Sequence, residues 1–180
     1  GFAARSVFKL EEIDKKFKLF KPHQTILDLG ASPGSWSQYA SKAVGANGKV
    51  LGVDLSPVTV KLPNAVFIQA DLRDLNLEEI FQQHGFKPPF DIVMSDMAPK
   101  TTGIRMTDQA RSLELCELAL DVAHRFLKKD GHFICKLFHS DDFGKLRDAI
   151  KKSFAKVEAV KPDSTRKISK EIFLVGISKK

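Results

Sequence analysis

The chain has 180 residues, of which 43% are hydrophobic and 28% charged, a composition typical of one globular domain with a single substantial core. Its formal net charge of +7 favours a polyanionic partner. No apolar run approaches the roughly 18 residues of a membrane span, and the first ten residues lack the apolar stretch of a signal peptide.

Segments with strand-like and helix-like patterns alternate along the chain. The predicted helices cover residues 7–17, 35–45, 75–85, 108–127 and 141–154, and the predicted strands residues 25–30, 49–55, 65–71, 90–96, 132–138, 155–162 and 171–179. Such alternation predicts an α/β, doubly wound, mainly parallel seven-stranded sheet covered by helices on both faces. The last two strands follow each other without a helix, which predicts one antiparallel strand at the end of the sheet. No linker or repeat divides the chain, so we expect one domain over residues 1–180.

The first predicted strand runs into a glycine-containing turn, DLGASPGSW, at residues 28–36. Gly30 and Gly34 allow the backbone to approach a ligand closely. Their spacing differs from the G-x-G-x-x-G of dinucleotide sites, and no G-K-[ST] follows as in a P-loop. A tight strand-to-helix turn needs glycine in any case, so this segment alone leaves a structural and a ligand-binding role open.

Four successive parallel strands end in or near a carboxylate, at Asp28, Asp54, Asp71 and Asp96. In open α/β sheets ligands bind at the carboxyl ends of the strands, where an acid can accept hydrogen bonds from ribose hydroxyls. Four acids on one edge favour a ligand with ribose hydroxyls, an adenine amine and a positive centre. S-adenosylmethionine fits this description better than a dinucleotide.

A lysine, Lys136, lies within the apolar strand HFICKLF. A buried ammonium costs several kcal/mol unless it is paired or loses its proton. A lysine near a strand end can also extend to the surface, so the pattern alone leaves a catalytic and a solvated role open.

Basic residues concentrate near both ends of the chain. They are Arg5, Lys9, Lys15, Lys16, Lys18 and Lys21 in the first segment and Lys161, Arg166, Lys167 and Lys170 in the second. A charge run is more often a solvated face than a binding site, and a nucleic-acid interface would require the two segments to converge in space. Cys116 and Cys135 occur singly in apolar patterns, which predicts buried free thiols of a cytoplasmic protein.

Four segments in order, DLGASPGSWSQ, VMSDMAPK, HFICKLF and VKPDSTRKISKEIFLV, resemble the FtsJ/RrmJ family of SAM-dependent ribosomal RNA ribose 2′-O-methyltransferases. The similarity runs from SVFKLEEID to the final strand, so it covers essentially the whole chain. It implies a Rossmann-like methyltransferase fold and S-adenosyl-L-methionine as the cofactor.

The resemblance also implies the site residues. The catalytic set falls on Lys9, Asp96, Lys136 and Glu171, and the cofactor contacts on Gly34, Trp36, Asp54, Asp71 and Asp96. The strand-end argument adds Asp28 and Gly30 to the cofactor site. No metal is expected, because the histidines and cysteines lack metal-ligand spacing. The residues leave open whether Lys136 removes the hydroxyl proton or stays charged and orients the hydroxyl.

The chain departs from the family pattern at Ser35, where a second glycine is frequent, and at Lys100, where asparagine is frequent. Neither belongs to the catalytic set, but Lys100 bears on how RNA docks and hence on the substrate.

The predicted reaction is methyl transfer to a ribose 2′-OH of RNA, a uridine of large-subunit ribosomal RNA within a large-subunit particle. The alternatives are methylation of transfer RNA or of an mRNA cap, a non-catalytic SAM/RNA-binding protein, and an enzyme acting on small phenols or amines. We expect a monomer without membrane contact, in the cytoplasm or, for a eukaryotic source, in an organellar matrix.

Overall fold

The computed structural model describes residues 1–161 and 171–180. The strands of this part of the chain are β1 (Thr25–Leu29), β2 (Lys49–Asp54), β3 (Ala65–Gln69), β4 (Phe90–Ser95), β5 (Leu127–Phe138), β6 (Phe154–Val160) and β7 (Glu171–Lys179). The helices are α1 (Val7–Phe17), α2 (Ser35–Val44), α3 (Leu77–Gln83), α4 (Arg105–Phe126) and α5 (Phe143–Ser153), with a 3₁₀ turn at Leu72–Asp74.

The strands form one sheet in the order β3-β2-β1-β4-β5-β7-β6. Every adjacent pair is parallel except the two that involve β7, which runs antiparallel to both β5 and β6. This arrangement confirms the predicted α/β, mainly parallel seven-stranded sheet with one antiparallel strand.

The antiparallel strand does not lie at the end of the sheet as expected. β7 lies one position inside, and β6 forms the edge. The central residues of β7 are buried without interruption, whereas most of β6 is exposed or half-buried. A strand that is apolar on both faces requires neighbours and helices around it, and a strand that carries charged residues, here Lys156 and Glu158 of β6, is tolerated at the edge.

The hydrophobic core lies on both faces of the sheet. Helices α3, α4 and α5 cover one face through residues such as Phe81, Phe126 and Ile150. Helices α1 and α2 cover the other through residues such as Leu10 and Trp36. Successive β1 residues alternate between these two clusters, as the pleat of a doubly covered strand requires.

The strand order reverses direction between β1 and β4, which are direct neighbours. At such a switch point the connections leave toward opposite faces and open a crevice at the carboxyl ends of the strands. This edge of the sheet, called the carboxyl edge below, is where the fold places a site. Within residues 1–161 and 171–180, no helix has the length and apolarity needed to cross a membrane.

Candidate functional site

A cleft of about 300 Å³ opens at the carboxyl edge. Its walls come from the ends of β1, β2 and β4, from the segment after β3 and from α4. Four of the residues predicted for the cofactor site line it: Gly30, Asp54, Asp71 and Asp96. The cleft thus combines three carboxylates with apolar side chains, including Leu55 and Leu72.

The backbone fixes two of these carboxylates in place. The Asp54 oxygens accept hydrogen bonds from the amides of Ser32 and Ser56, each at 2.8 Å. An Asp71 oxygen accepts one from the amide of Arg73 at 2.9 Å. Each carboxylate oxygen has two lone pairs, so both side chains are held rigidly and can still accept a hydrogen bond from a ligand.

Gly30 is required by the geometry of the cleft floor. Its φ of +77° lies in the left-handed region, and a Cβ there would lie 2.7 Å from the side chain of Met97. The absence of a side chain therefore allows the turn after β1 to pack against the segment after β4.

A second polar group lies where β4, β5 and β7 meet. The Lys136 ammonium is 2.7 Å from an Asp96 carboxylate oxygen and 3.6 Å from a Glu171 oxygen. The pairing of β5 with β7 brings Glu171 opposite Phe138, two residues beyond the lysine. The Ser6 hydroxyl donates to the second Asp96 oxygen at 3.4 Å. We call Asp96, Lys136, Glu171 and Ser6 the lysine cluster.

The charges of this cluster are mutually dependent. Burial favours the neutral amine of Lys136, but the carboxylates of Asp96 and Glu171 outweigh it and raise the pKa of the lysine above its ordinary value. Burial also raises the pKa of Asp96, and the Lys136 ammonium opposes that shift. Lys136 is therefore an ammonium at neutral pH, held by two acids.

Helix α4 holds the end of β5 that carries the lysine. The Cys116 thiol donates to the carbonyl oxygen of Lys136 at 3.1 Å, and the Ser112 hydroxyl accepts from the amide of Phe138 at 2.9 Å. Both α4 side chains are buried. These contacts, which the sequence patterns did not indicate, fix the backbone of β5 at Lys136 and two residues after it.

Three residues predicted for the cofactor site lie outside the cleft lining. Asp28 is fully buried and accepts a hydrogen bond from Ser37 at 2.6 Å, and burial raises its pKa to about 7. Trp36 is 1% exposed and packs against Phe173 with ring centroids 6.1 Å apart. Gly34 precedes α2 with a φ of +119°. Their contacts with a cofactor remain predictions.

Lys9 lies on α1, one helical turn after Ser6. Its ammonium pairs with Glu12 at 2.8 Å, and 18% of its side chain is exposed. The structure therefore brings three of the four predicted catalytic residues together, with Lys9 on the adjoining helix, and the catalytic role of Lys9 remains a prediction. The contact of Ser6 with Asp96 was missed, although its spacing of three residues from Lys9 on a helix was an available signal.

The predicted basic surface is described in part. Arg166, Lys167 and Lys170 lie outside the described residues. Lys161 is exposed and follows β6, which runs in the same direction as β5 and therefore ends at the carboxyl edge. In the described portion of the chain, no group of three or more histidine, cysteine or acidic residues is placed to hold a metal ion.

Comparisons with known proteins were made for the sequence and for the fold. A family model described as FtsJ-like methyltransferase matches residues 2–179. The ribosomal RNA large subunit methyltransferase E of Bdellovibrio bacteriovorus is 88% identical over 180 residues, which cover 100% of this chain and 92% of that protein.

Two solved structures show the same architecture. A crystal structure described as a ribosomal RNA methyltransferase of Plasmodium falciparum superposes with a TM-score of 0.81 at 29% identity, covering 99% of this chain and 98% of that one. The fibrillarin of Aeropyrum pernix, solved with S-adenosyl-L-methionine, gives a TM-score of 0.59 at 15% identity, covering 87% and 67%. The fibrillarin likeness concerns the fold alone.

Proposed function

The chain belongs to the FtsJ-like methyltransferase family, which confirms the resemblance found in its sequence, and we propose that it transfers a methyl group from S-adenosylmethionine to a ribose 2′-hydroxyl of large-subunit ribosomal RNA. The observation that carries this proposal is the lysine cluster beside a cleft with three carboxylates. The name of the 88% identical relative supports the choice of ribosomal RNA.

The donors and acceptors of the cleft suit the proposed cofactor. Asp54 and Asp71 are held by backbone amides, and they would accept hydrogen bonds from ribose hydroxyls and the adenine amine. Asp96 lines the cleft and also belongs to the lysine cluster. Its negative charge would therefore favour the positively charged sulfur of the cofactor at the point where cleft and cluster meet. When bound, S-adenosylmethionine supplies a methyl group activated by its positively charged sulfur.

We assign to Lys136 the role of orienting the attacking ribose hydroxyl. As an ammonium it carries three hydrogen-bond donors, and it forms ion pairs with Asp96 and Glu171 at 2.7 and 3.6 Å. A donor that remains free would bind the ribose 2′-oxygen, turn its lone pair toward the methyl group and stabilise the negative charge that develops on the oxygen as the hydroxyl proton passes to water. The raised pKa of Lys136 favours this role over proton removal by a neutral amine.

The remaining residues of the set support that orientation. Asp96 and Glu171 hold the ammonium from two sides, and Ser6 fixes the second oxygen of Asp96. Lys9, on the same face of α1 as Ser6, would contact the substrate after leaving Glu12. An exposed pair of this kind contributes about 0–1 kcal/mol, so an RNA phosphate would displace Glu12 readily.

The substrate is proposed as a uridine of large-subunit ribosomal RNA within an assembled particle, methylated by a monomer in the cytoplasm. The net charge of +7 favours such a polyanion. The test is incubation of the protein with isotope-labelled S-adenosylmethionine and purified large subunits, protein-free ribosomal RNA or transfer RNA, followed by mass spectrometry of the nucleosides. Label in 2′-O-methyluridine from large-subunit RNA is expected, and label confined to transfer RNA would contradict the proposal.

Asp54→Ala tests the cofactor separately. Loss of a hydrogen-bonded carboxylate contact costs about 1–3 kcal/mol, which is roughly a tenfold to hundredfold loss of affinity for S-adenosylmethionine. The matched control is Asp74→Ala, which removes an exposed acid that does not line the cleft. Calorimetry giving the two variants equal affinities would remove Asp54 from the cofactor site.

A further inference from the structure

The segment between β4 and α4 differs in character from the rest of the carboxyl edge. It leaves the cleft at Met97 and Ala98 and enters α4 at Arg105. Ile104 is 62% exposed and Met106 is 81% exposed, values that are unusual for large apolar side chains. Residues 97–107 contain no acid. We call residues 97–106, which include the first two residues of α4, the β4–α4 loop.

The loop carries a positive charge on both sides of its apolar side chains. Lys100 and Arg105 belong to it, and Arg111 follows on the first turns of α4; all three are exposed. The nearby acid, Asp108, is 9% exposed and bonded within the loop. A surface that combines cations, exposed apolar groups and no free acid is complementary to RNA, whose phosphates attract the cations and whose unstacked bases present apolar faces.

The loop is held in one conformation from the helix side. Asp108 accepts hydrogen bonds from the amide and the hydroxyl of Thr102, each at 2.8 Å, and from the amide of Gly103 at 3.2 Å. The amide of Ile104 donates to the Thr102 hydroxyl at 3.1 Å. The hydrogen bond donated by the Thr102 amide lowers the pKa of Asp108 below its ordinary value. The exposed side chains are therefore presented by a fixed turn.

We propose that Ile104 and Met106 form an apolar wedge that contacts unstacked bases of the RNA beside the methylated nucleotide, with Lys100 and Arg105 on the flanking phosphates. The inference rests on the proposed function and adds a substrate-recognition surface to it. The loop follows Asp96 directly and lines the cleft at Met97 and Ala98, so RNA bound to the wedge would lie on the same edge of the sheet as a ribose at the lysine cluster. Apolar side chains inserted between bases hold a nucleotide out of its stack. A nucleotide held in this way would expose its ribose to the lysine cluster.

The wedge is tested by the double variant Ile104→Ser, Met106→Ser against the double variant Ile104→Leu, Met106→Leu. Binding to a protein-free transcript of large-subunit ribosomal RNA is measured by fluorescence anisotropy, and KM is measured on large subunits that lack the methyl group. The serine variant is expected to lose about tenfold in RNA affinity and to raise the KM for subunits similarly, because two apolar contacts are lost. The leucine variant should retain both, and the KM for S-adenosylmethionine should stay within twofold in each.

The cations have their own matched control. Lys100→Ala and Arg105→Ala should each weaken RNA binding and lower the slope of log affinity against log salt by about one. Lys87→Ala removes an exposed cation that precedes β4 at the opposite edge of the sheet and should change the slope less.

Three results would overturn the wedge. They are unchanged RNA affinity in the serine variant, an equal loss of affinity for S-adenosylmethionine, and a loss seen on large subunits but not on the protein-free transcript. The last result would mean that the loop binds a ribosomal protein and not the RNA. Failure of the parental protein to transfer methyl groups would contradict the proposed function instead, because RNA binding by the variants is measured without catalysis.

Discussion

At the scale of single residues, the central feature is a lysine kept charged inside an apolar strand. Lys136 is 11% exposed, a position that favours loss of its proton. The carboxylates of Asp96 and Glu171 reverse that preference. The same two acids direct the ammonium, so the site maintains a charge and aims it with the same contacts.

Lys136→Met is expected to lower turnover by about 10²–10³, because the ribose hydroxyl loses its hydrogen-bond donor while an apolar chain of similar length fills the space. Affinity for S-adenosylmethionine should change little. Lys136→Arg should be nearly as inactive, since a planar guanidinium does not reproduce the geometry of an ammonium. Single-turnover kinetics with calorimetry separates the two quantities, and a Met variant with parental turnover would exclude Lys136 from the reaction.

Asp28 provides a prediction about pH. Burial raises its pKa from 3.8 to about 7, so between these values the folded protein holds a proton that the unfolded chain has lost. Stability therefore falls as the pH rises from about 4 to 7. Asp28→Asn keeps an acceptor for Ser37 and removes the titration. Thermal melting at pH 5 to 8 should show a smaller fall for the variant and a higher Tm at pH 8; parallel pH profiles would contradict this.

The strand-end acids show how far residue-level prediction reached. Asp54 is the last residue of β2, and Asp71 and Asp96 follow the ends of β3 and β4, where all three line the cleft. Asp28 lies within β1 and faces α2 instead. Sequence position identified acids near the carboxyl edge. Whether such an acid lies beyond the strand, at the edge, or within it, facing a helix, depends on where the strand ends, and patterns locate that end only to within a few residues.

At the scale of elements, α4 acts as a brace for the carboxyl edge. Its first turn fixes the β4–α4 loop through Asp108, and its next turns hold β5 through Ser112 and Cys116. One helix thus sets the positions of both the proposed RNA surface and the lysine.

Ser112→Ala tests this brace. The change leaves the half-buried Phe138 amide without its acceptor, which costs about 0.5–1.5 kcal/mol. We expect a lower Tm, reduced turnover and faster hydrogen exchange at the Phe138 amide, with little change in affinity for S-adenosylmethionine. Unchanged exchange at that amide would show that Ser112 does not hold the strand.

The element order could be predicted because hydrophobic periodicity distinguishes strands from helices, whereas the position of β7 could not. Its pairing with β6 joins consecutive strands, but its pairing with β5 passes over α5 and β6 along the chain. Local patterns record that β7 is apolar on both faces, but they do not record which strands flank it.

At the scale of the whole molecule, two segments that are far apart in the sequence, the start of α1 and the start of β7, approach the same site. The start of α1 reaches Asp96 through Ser6, and the start of β7 reaches Lys136 through Glu171. Lys161, at the end of β6, lies at the carboxyl edge as well. The described residues next to both basic segments therefore converge there, and convergence of the basic segments themselves stays a prediction.

This convergence predicts a steep salt dependence of RNA binding. If the cations near both ends of the chain neutralise phosphates of one RNA, affinity falls steeply with salt. Arg5→Ala and Lys161→Ala, which remove exposed cations from the two segments, should each weaken binding to all RNAs to a similar extent and lower the slope of log affinity against log salt by about one. Lys87→Ala, at the opposite edge, provides the comparison at equal net charge. Titrations from low to high salt with large-subunit RNA and an unrelated transcript give the slopes. Equal slopes for the three variants would mean that the net charge of +7 attracts RNA to the molecule as a whole. The two basic segments would then not form a common binding surface.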